Sequence, residues 1–304
     1  MAGRIGDGVR RVRRPAVPRP AATGGSDWNK RWVLSNMPLS GKALRLARLS
    51  RPGDGRYLFV PLDHSVSDGP IASAAGFTQL VRDIADGGAD AIVVHKGRAR
   101  QVLPAALTHC ALVVHLSAST VHAPDTDAKV LVGDVEDAVR VGADAVSVHV
   151  NIGSDTEATQ LADLGTVAAA CERWGMPLMA MIYPRGPRVD DPTRPELLAH
   201  VVGIAMDLGV DIVKTVLASP SERMAEVVAS SPLPVVVAGG GGADQSLFDF
   251  ATSALAAGCR GLAVGRRVFT SPDPRQAVRE LSAIVHGRQV PPGPAASLEV
   301  AGAL

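Results

Sequence analysis

Lys214 ends a short β-branched run, Asp211-Ile212-Val213-Lys214-Thr215-Val216, at a place where an ammonium has no structural reason to be. A primary amine partly desolvated at a strand end can lose its proton near neutral pH and attack a carbonyl to form a Schiff base. The plainer alternative is a lysine whose stem packs on the strand and whose amine reaches water or pairs with a carboxylate. Schiff-base chemistry also needs a group that moves protons to and from a carbinolamine and an aldol hydroxyl, and a carboxylate that assists or orients. Tyr183 and Asp63 supply those two types, each at the end of another apolar run. Tyr183 could equally be a rim residue with its hydroxyl in water, and Asp63 a helix N-cap or a partner for Lys96 or Lys214. Lys96 is the rival amine. Were both amines to face the same space, each would depress the other's pKa, and the one on the more central strand would be the nucleophile. That choice falls on Lys214 and leaves Lys96 to bind a phosphate or carboxylate, or to pair with Asp63.

Two further groups of residues bear on chemistry. Ala238-Gly239-Gly240-Gly241-Gly242 and Val264-Gly265-Arg266 bring backbone N–H groups and a guanidinium together, a combination suited to a phosphate. His64, His95 and His149 offer a rival reading, a zinc site for a metal-dependent aldolase or hydrolase, but neither HxH nor HExxH spacing is present. The expectation is therefore no metal and no cofactor, with the histidines lining a polar cavity.

The elements that must position these groups follow from a recurring pattern. Short runs of Val, Ile, Leu and Ala end near Asp63, Lys96, Ser117, Asn151, Tyr183, Thr215, Gly240 and Gly265. Helical stretches intervene, among them 77–86, 135–141, 161–174 and 195–208. Several close on a repeated signal, Gly88-Ala89-Asp90, Gly142-Ala143-Asp144, Gly209-Val210-Asp211 and Gly258-Cys259-Arg260, which places a glycine at a helix C-cap just before the next strand. Strands apolar on both faces belong in a parallel sheet covered by helices, and eight such units predict a single-domain α/β fold, a (β/α)8 TIM barrel. A doubly wound open sheet is the alternative, but Asp63-His64-Ser65-Val66-Ser67 follows the first strand where a dinucleotide fingerprint would stand. In a barrel the C-terminal strand ends face the active site, so Asp63, His64, Lys96, His149, Tyr183, Arg185 and Lys214 all become site candidates.

Composition bounds the rest. The chain has 304 residues, 46% of them hydrophobic, a net charge of +1, and no apolar run near membrane-spanning length. Cys110, Cys171 and Cys259 are odd in number and widely spaced, which points to core packing in a cytoplasmic protein rather than to disulfides. Residues 1–35, with Arg10, Arg11, Arg13 and Arg14 among prolines and glycines, read as a disordered basic tail without the apolar segment of a secretory signal. The folded barrel is expected over 36–289, with a second loose tail over 290–304, and neither nucleic acid nor membrane is expected as a partner.

Several stretches in the same order, Pro61-Leu62-Asp63-His64-Ser65-Val66-Ser67-Asp68-Gly69-Pro70, 143–154, Trp174-Gly175-Met176-Pro177 and Tyr183-Pro184-Arg185-Gly186, carry a resemblance over roughly 41–287. The chain resembles the archaeal-type class I aldolases of the DeoC/LacD kind. That resemblance implies a Schiff-base lysine at Lys214, a proton donor at Tyr183 and a proton acceptor at Asp63. It also implies ligand contacts at His64, Ser65, Val66, Ser67, Pro184, Arg185, Gly239, Gly240, Gly265 and Arg266. Members of the family join L-aspartate 4-semialdehyde to a three-carbon unit from a phosphorylated keto-sugar donor, dihydroxyacetone phosphate or a deoxyketohexose phosphate, giving a seven-carbon amino-keto acid; others are fructose-bisphosphate aldolases. A homo-oligomer is implied as well, a decamer of two stacked pentamers in many members. Departures from the pattern are Ser117-Ala118-Ser119-Thr120, the two additional glycines after the seventh strand, and Arg267. They bear on the donor more than on the mechanism. For the acceptor's carboxylate, Arg185, Lys96 and His149 are the candidates.

Overall fold

The computed structural model describes residues 40–239 and 246–287. The expectations for both tails, for the limits of the folded unit and for Gly240 lie outside them. Eight parallel strands close into a barrel: β1 (Tyr57–Pro61), β2 (Ala91–His95), β3 (Ala111–His115), β4 (Ala145–Ile152), β5 (Leu178–Pro184), β6 (Ile212–Thr215), β7 (Val235–Ala238) and β8 (Gly261–Ala263). The TIM barrel predicted from the pattern is the fold. Predicted strand ends fall within two residues of those observed, but β3 stops at His115, not at Ser117. Ser117–Ala118 instead pairs antiparallel with Val130–Leu131 in a small hairpin above the barrel rim.

Successive strand residues alternate between two apolar clusters, as the two-residue period of a strand requires. Leu58, Val60, Ile92 and Val94 join one cluster with helix residues such as Phe77, Leu164 and Leu198. Tyr57, Phe59, Val93, Val113, Met179 and Val236 join the other, which fills the barrel interior. An N-terminal helix, α1 (Gly41–Arg48), contributes Leu46 to that interior cluster, and Leu49 just beyond it is fully buried there. The outer layer comprises α2 (Ala74–Gly87), α3 (Val135–Arg140), α4 (Glu157–Trp174), α5 (Pro195–Asp207), α6 (Met224–Ala229), α7 (Leu247–Ala256) and α8 (Pro274–His286).

The repeated glycine signal has the geometry expected of it. Gly88, Gly142, Gly209 and Gly258 adopt φ of 95°, 75°, 81° and 94°, the left-handed region where a side chain is strained. Two residues on, the aspartates staple neighbouring strands: Asp90 Oδ2 accepts from Leu58 N at 2.6 Å, Asp144 Oδ2 from Leu112 N at 3.1 Å, and Asp211 Oδ2 from Leu178 N at 2.9 Å. Arg260 takes the aspartate's place in the fourth copy. Cys110, Cys171 and Cys259 are buried free thiols, each pushed up to about 12 by burial. Among the described residues no helix is long and apolar enough to cross a membrane.

Candidate active site

At the C-terminal ends of the strands lies a cavity of about 550 Å³. Lys214 enters it from β6, where its alternation with Val213 turns the side chain inward. Only 8% of the residue is exposed. Its Nζ lies 3.6 Å from Sδ of Met181, the residue in register with it on β5, and 6.0 Å from the centroid of the Tyr183 ring. Among the described residues no carboxylate oxygen approaches within 4.0 Å of Nζ. Little of the residue is exposed, and among the described residues the amine sits in no ion pair, against the plain reading of a paired lysine.

Tyr183 is buried near the end of β5. Its ring meets His149 edge-on at 5.0 Å between centroids, and the Arg185 guanidinium lies 5.6 Å from the same ring. The turn that follows is locked where two loops cross. Gly186 adopts φ 141°, and a Cβ there would stand 2.1 Å from Gly153 O, so only glycine permits the crossing. Arg185 N donates to Ile152 O at 2.9 Å, which ties the guanidinium-bearing residue to the end of β4.

Asp63 precedes a helical turn, His64–Ser67, yet its side chain makes no capping bond. Its Oδ1 is buried without a hydrogen-bond partner among the described residues and lies 3.5 Å from His64 Nδ1, while Oδ2 is 3.8 Å from His115 Nε2. Burial pushes the Asp63 carboxyl up, but its coupling to groups that can carry positive charge, His115 first and then Lys214, His64 and His95, outweighs it, and the net shift is downward. Burial lowers His115 to about 4, and it lowers His95 and His64 as well, so these imidazoles are neutral near pH 7. His149 is held well below its ordinary range, first by burial and then by Lys129, and its Nε2 bonds Asn151 Oδ1 at 2.8 Å.

Of the remaining expected ligand contacts, His64, Val66, Ser67, Arg185, Gly239, Gly265 and Arg266 all line the cavity, with Gly265 packed against the His64 ring. Ser65 and Pro184 are neighbours of lining residues but do not themselves form its wall. Lys96 requires correction: its Nζ pairs with Asp137 on α3 at 2.7 Å, away from the cavity, so it neither competes with Lys214 nor partners Asp63. Among the described residues no group of three or more His, Cys, Asp or Glu is spaced to hold a metal ion. His64 and His95 instead flank Asp63.

Sequence reasoning passed over His115, Lys129 and Asp68, all of which line the cavity. The signal for His115 was present: Ala91-Ile92-Val93-Val94-His95 and Ala111-Leu112-Val113-Val114-His115 are matching strings, and their histidines stand in register. Extending strand three to Ser117 concealed the match. His115 Nδ1 bonds Ser147 Oγ at 2.8 Å, and its ring lies 5.2 Å from that of His95.

Among the described residues, a buried amine with no carboxylate oxygen within 4.0 Å stands at the barrel mouth with a phenol and a carboxylate whose Oδ1 lacks a hydrogen-bond partner, which are the group types covalent carbonyl chemistry uses. Residues 57–271 match the DeoC/LacD family aldolase. Over 256 residues the chain is 50% identical to a 2-amino-4,5-dihydroxy-6-oxo-7-(phosphonooxy)heptanoate synthase from Streptomyces griseus, covering 84% of this chain and 93% of that one. A 2-amino-3,7-dideoxy-D-threo-hept-6-ulosonate synthase from Archaeoglobus fulgidus is 42% identical over 248 residues, 81% of this chain and 92% of that one. Among solved structures, an archaeal fructose-1,6-bisphosphate aldolase with its catalytic lysine covalently bound to the carbinolamine intermediate of its substrate superposes with a TM-score of 0.74. It is 25% identical and covers 82% of this chain and 100% of that one. The chain belongs to the DeoC/LacD aldolase family, and its enzymatic class is that of the class I aldolases and transaldolases.

Proposed function

We propose that the barrel joins a phosphorylated three-carbon ketone to L-aspartate 4-semialdehyde through a Schiff base on Lys214. The observation that carries this reading is the amine itself, buried against Met181 within reach of Tyr183 and without a carboxylate partner among the described residues. Lys214 Nζ attacks the donor ketone to form a carbinolamine, and Tyr183 protonates the departing hydroxyl to leave the iminium. Removal of a proton from the adjacent donor carbon gives the enamine, with the iminium nitrogen absorbing the electron pair. Asp63, whose carboxyl is held below its ordinary range and whose Oδ1 has no hydrogen-bond partner among the described residues, accepts that proton. The enamine carbon adds to the aldehyde, the new alkoxide takes a proton, and water releases the product and restores the lysine. The donor's phosphate rests against Gly239, Gly265 and Arg266.

The product named for the Streptomyces griseus relative supports dihydroxyacetone phosphate as donor. Disconnected as an aldol between C4 and C5, that seven-carbon acid falls into dihydroxyacetone phosphate and aspartate 4-semialdehyde. The product named for the archaeal relative lacks the phosphate, so its three-carbon unit comes from a different donor, such as a deoxyketohexose phosphate cleaved on the enzyme. Borohydride reduction separates these possibilities. Incubation with dihydroxyacetone phosphate and sodium borohydride is expected to add the reduced donor mass to the Lys214 peptide. An adduct formed only with the deoxyketose phosphate reassigns the donor, ready cleavage of fructose 1,6-bisphosphate reassigns the reaction, and no adduct with any ketone sinks the covalent mechanism.

A further inference from the structure

The cavity has a second positive pole, apart from the one at Arg266. Lys129 and Arg185 both line it on the side of β4 and β5, and among the described residues neither has a carboxylate oxygen within 4.0 Å. Lys129 is held from below: its Nζ donates to Ser119 Oγ and to Thr126 O, the latter at 2.7 Å. The loop that carries it is pinned by two fully buried amides, Asn151 Nδ2 and Gln160 Nε2, which donate to Asp127 O at 2.8 and 3.0 Å. Burial lowers the Lys129 pKa, and the Arg185 charge lowers it further, against the opposing pull of Asp127, Asp125 and Asp68. An anion bound between them relieves that repulsion.

Asp68 narrows the choice of anion. It stands on the cavity wall close enough to Lys129 for its charge to act on the ammonium, together with Asp127 and Asp125. A carboxylate beside a cationic pair repels a phosphate dianion but gives an ammonium a partner. We propose that Lys129, Arg185 and Asp68 form the subsite for the α-amino-acid head of the aldehyde acceptor, with the two cations on its carboxylate and Asp68 on its ammonium. This assignment rests on the aldolase reading above and names the acceptor class within it. Of the earlier candidates it keeps Arg185 and drops two: Lys96 is engaged by Asp137, and His149, neutral and bonded to Asn151, has no charge to offer.

Acceptor selectivity in the full-length enzyme tests the subsite. With dihydroxyacetone phosphate as donor, kcat/KM is measured for L-aspartate 4-semialdehyde, for succinate semialdehyde, which lacks the amino group, and for glyceraldehyde 3-phosphate. Lys129→Met is expected to lower kcat/KM for aspartate semialdehyde by about ten- to a hundredfold, chiefly through KM, as for loss of a charged hydrogen bond. Asp68→Asn is expected to erase the preference for aspartate over succinate semialdehyde and to raise use of glyceraldehyde 3-phosphate. A wild-type preference for glyceraldehyde 3-phosphate, or an unchanged KM in Lys129→Met, overturns the subsite even when wild-type enzyme forms the reduced donor adduct on Lys214. Absence of that adduct removes the aldolase reading and the subsite together.

Discussion

The two ends of the barrel use the same residue type in opposite ways. At the floor, Asp90, Asp144 and Asp211 each accept a backbone N–H from the neighbouring strand. The same three carboxylates are met by cations from the N-terminal segment: Arg51 at 4.0 Å, Arg48 at 3.3 Å and Lys42 at 3.3 Å. At the mouth, Asp63 has a buried Oδ1 with no hydrogen-bond partner among the described residues and three imidazoles around it that are neutral near pH 7. A buried acceptor left unmade costs about 1–3 kcal/mol, so the floor stabilises the fold while the mouth holds unsatisfied groups in readiness for a ligand. Lys214 belongs with Asp63 in this respect, as a charge-bearing group in the barrel whose contact is a thioether.

Substitutions at the two ends should therefore separate activity from stability. Lys214→Met is expected to abolish turnover and borohydride trapping while leaving the circular dichroism spectrum and melting temperature near those of wild type; retention of near-normal turnover would move the nucleophile elsewhere. Tyr183→Phe is expected to slow turnover by about a hundredfold or more with the donor KM little changed, and an unaltered kcat would take proton transfer away from the phenol. Arg266→Ala, at the proposed phosphate position, is expected to raise the KM for dihydroxyacetone phosphate by about tenfold; equal KM values would release Arg266 from that role. Asp144→Asn at the floor is expected to cost about 1–2 kcal/mol in urea unfolding with kcat per folded molecule unchanged. A drop in kcat at full folding would show that floor and mouth are coupled.

The neutral imidazoles give the mouth a pH signature. Because His115 is lowered to about 4 in the folded chain, the unfolded chain binds more protons between its ordinary value near 6.5 and that point. Stability is therefore full above about pH 6.5 and falls as pH drops toward 4, by roughly 3 kcal/mol for a fully buried imidazole. His64, His95 and His149 are shifted in the same direction and steepen the decline. In His115→Gln the urea midpoint should fall less steeply over this window, and an identical slope would show that His115 does not carry the effect.

Much of this was legible in the chain because it depends on local pattern. Apolar runs ended by polar residues located every strand of the barrel, since a strand wrapped by helices must be apolar on both faces. The four glycines before the strands could be read as C-caps, since a left-handed residue after a helix favours glycine on steric grounds alone. Lys214 could be singled out because an amine within a β-branched run is anomalous wherever the strand goes. Lys96 had the same local credentials, a lysine at the end of an apolar strand, yet it pairs with Asp137, a helix residue 41 positions away. Lys129 showed the converse. Nothing in its surroundings marks it, and its loop is held at the cavity by residues distant in the chain, with Asn151 and Gln160 donating to Asp127 O.

The sequence by itself determined the period of the elements, the caps between them and the residue types available at each strand end, because these follow from backbone sterics and burial within a few residues. Tertiary structure alone decided which of those polar groups share one cavity, which are neutralised by a distant partner and which are left without one. Closure of the barrel brings residues far apart in the chain within a few ångströms, and burial then decides how strongly they act on one another.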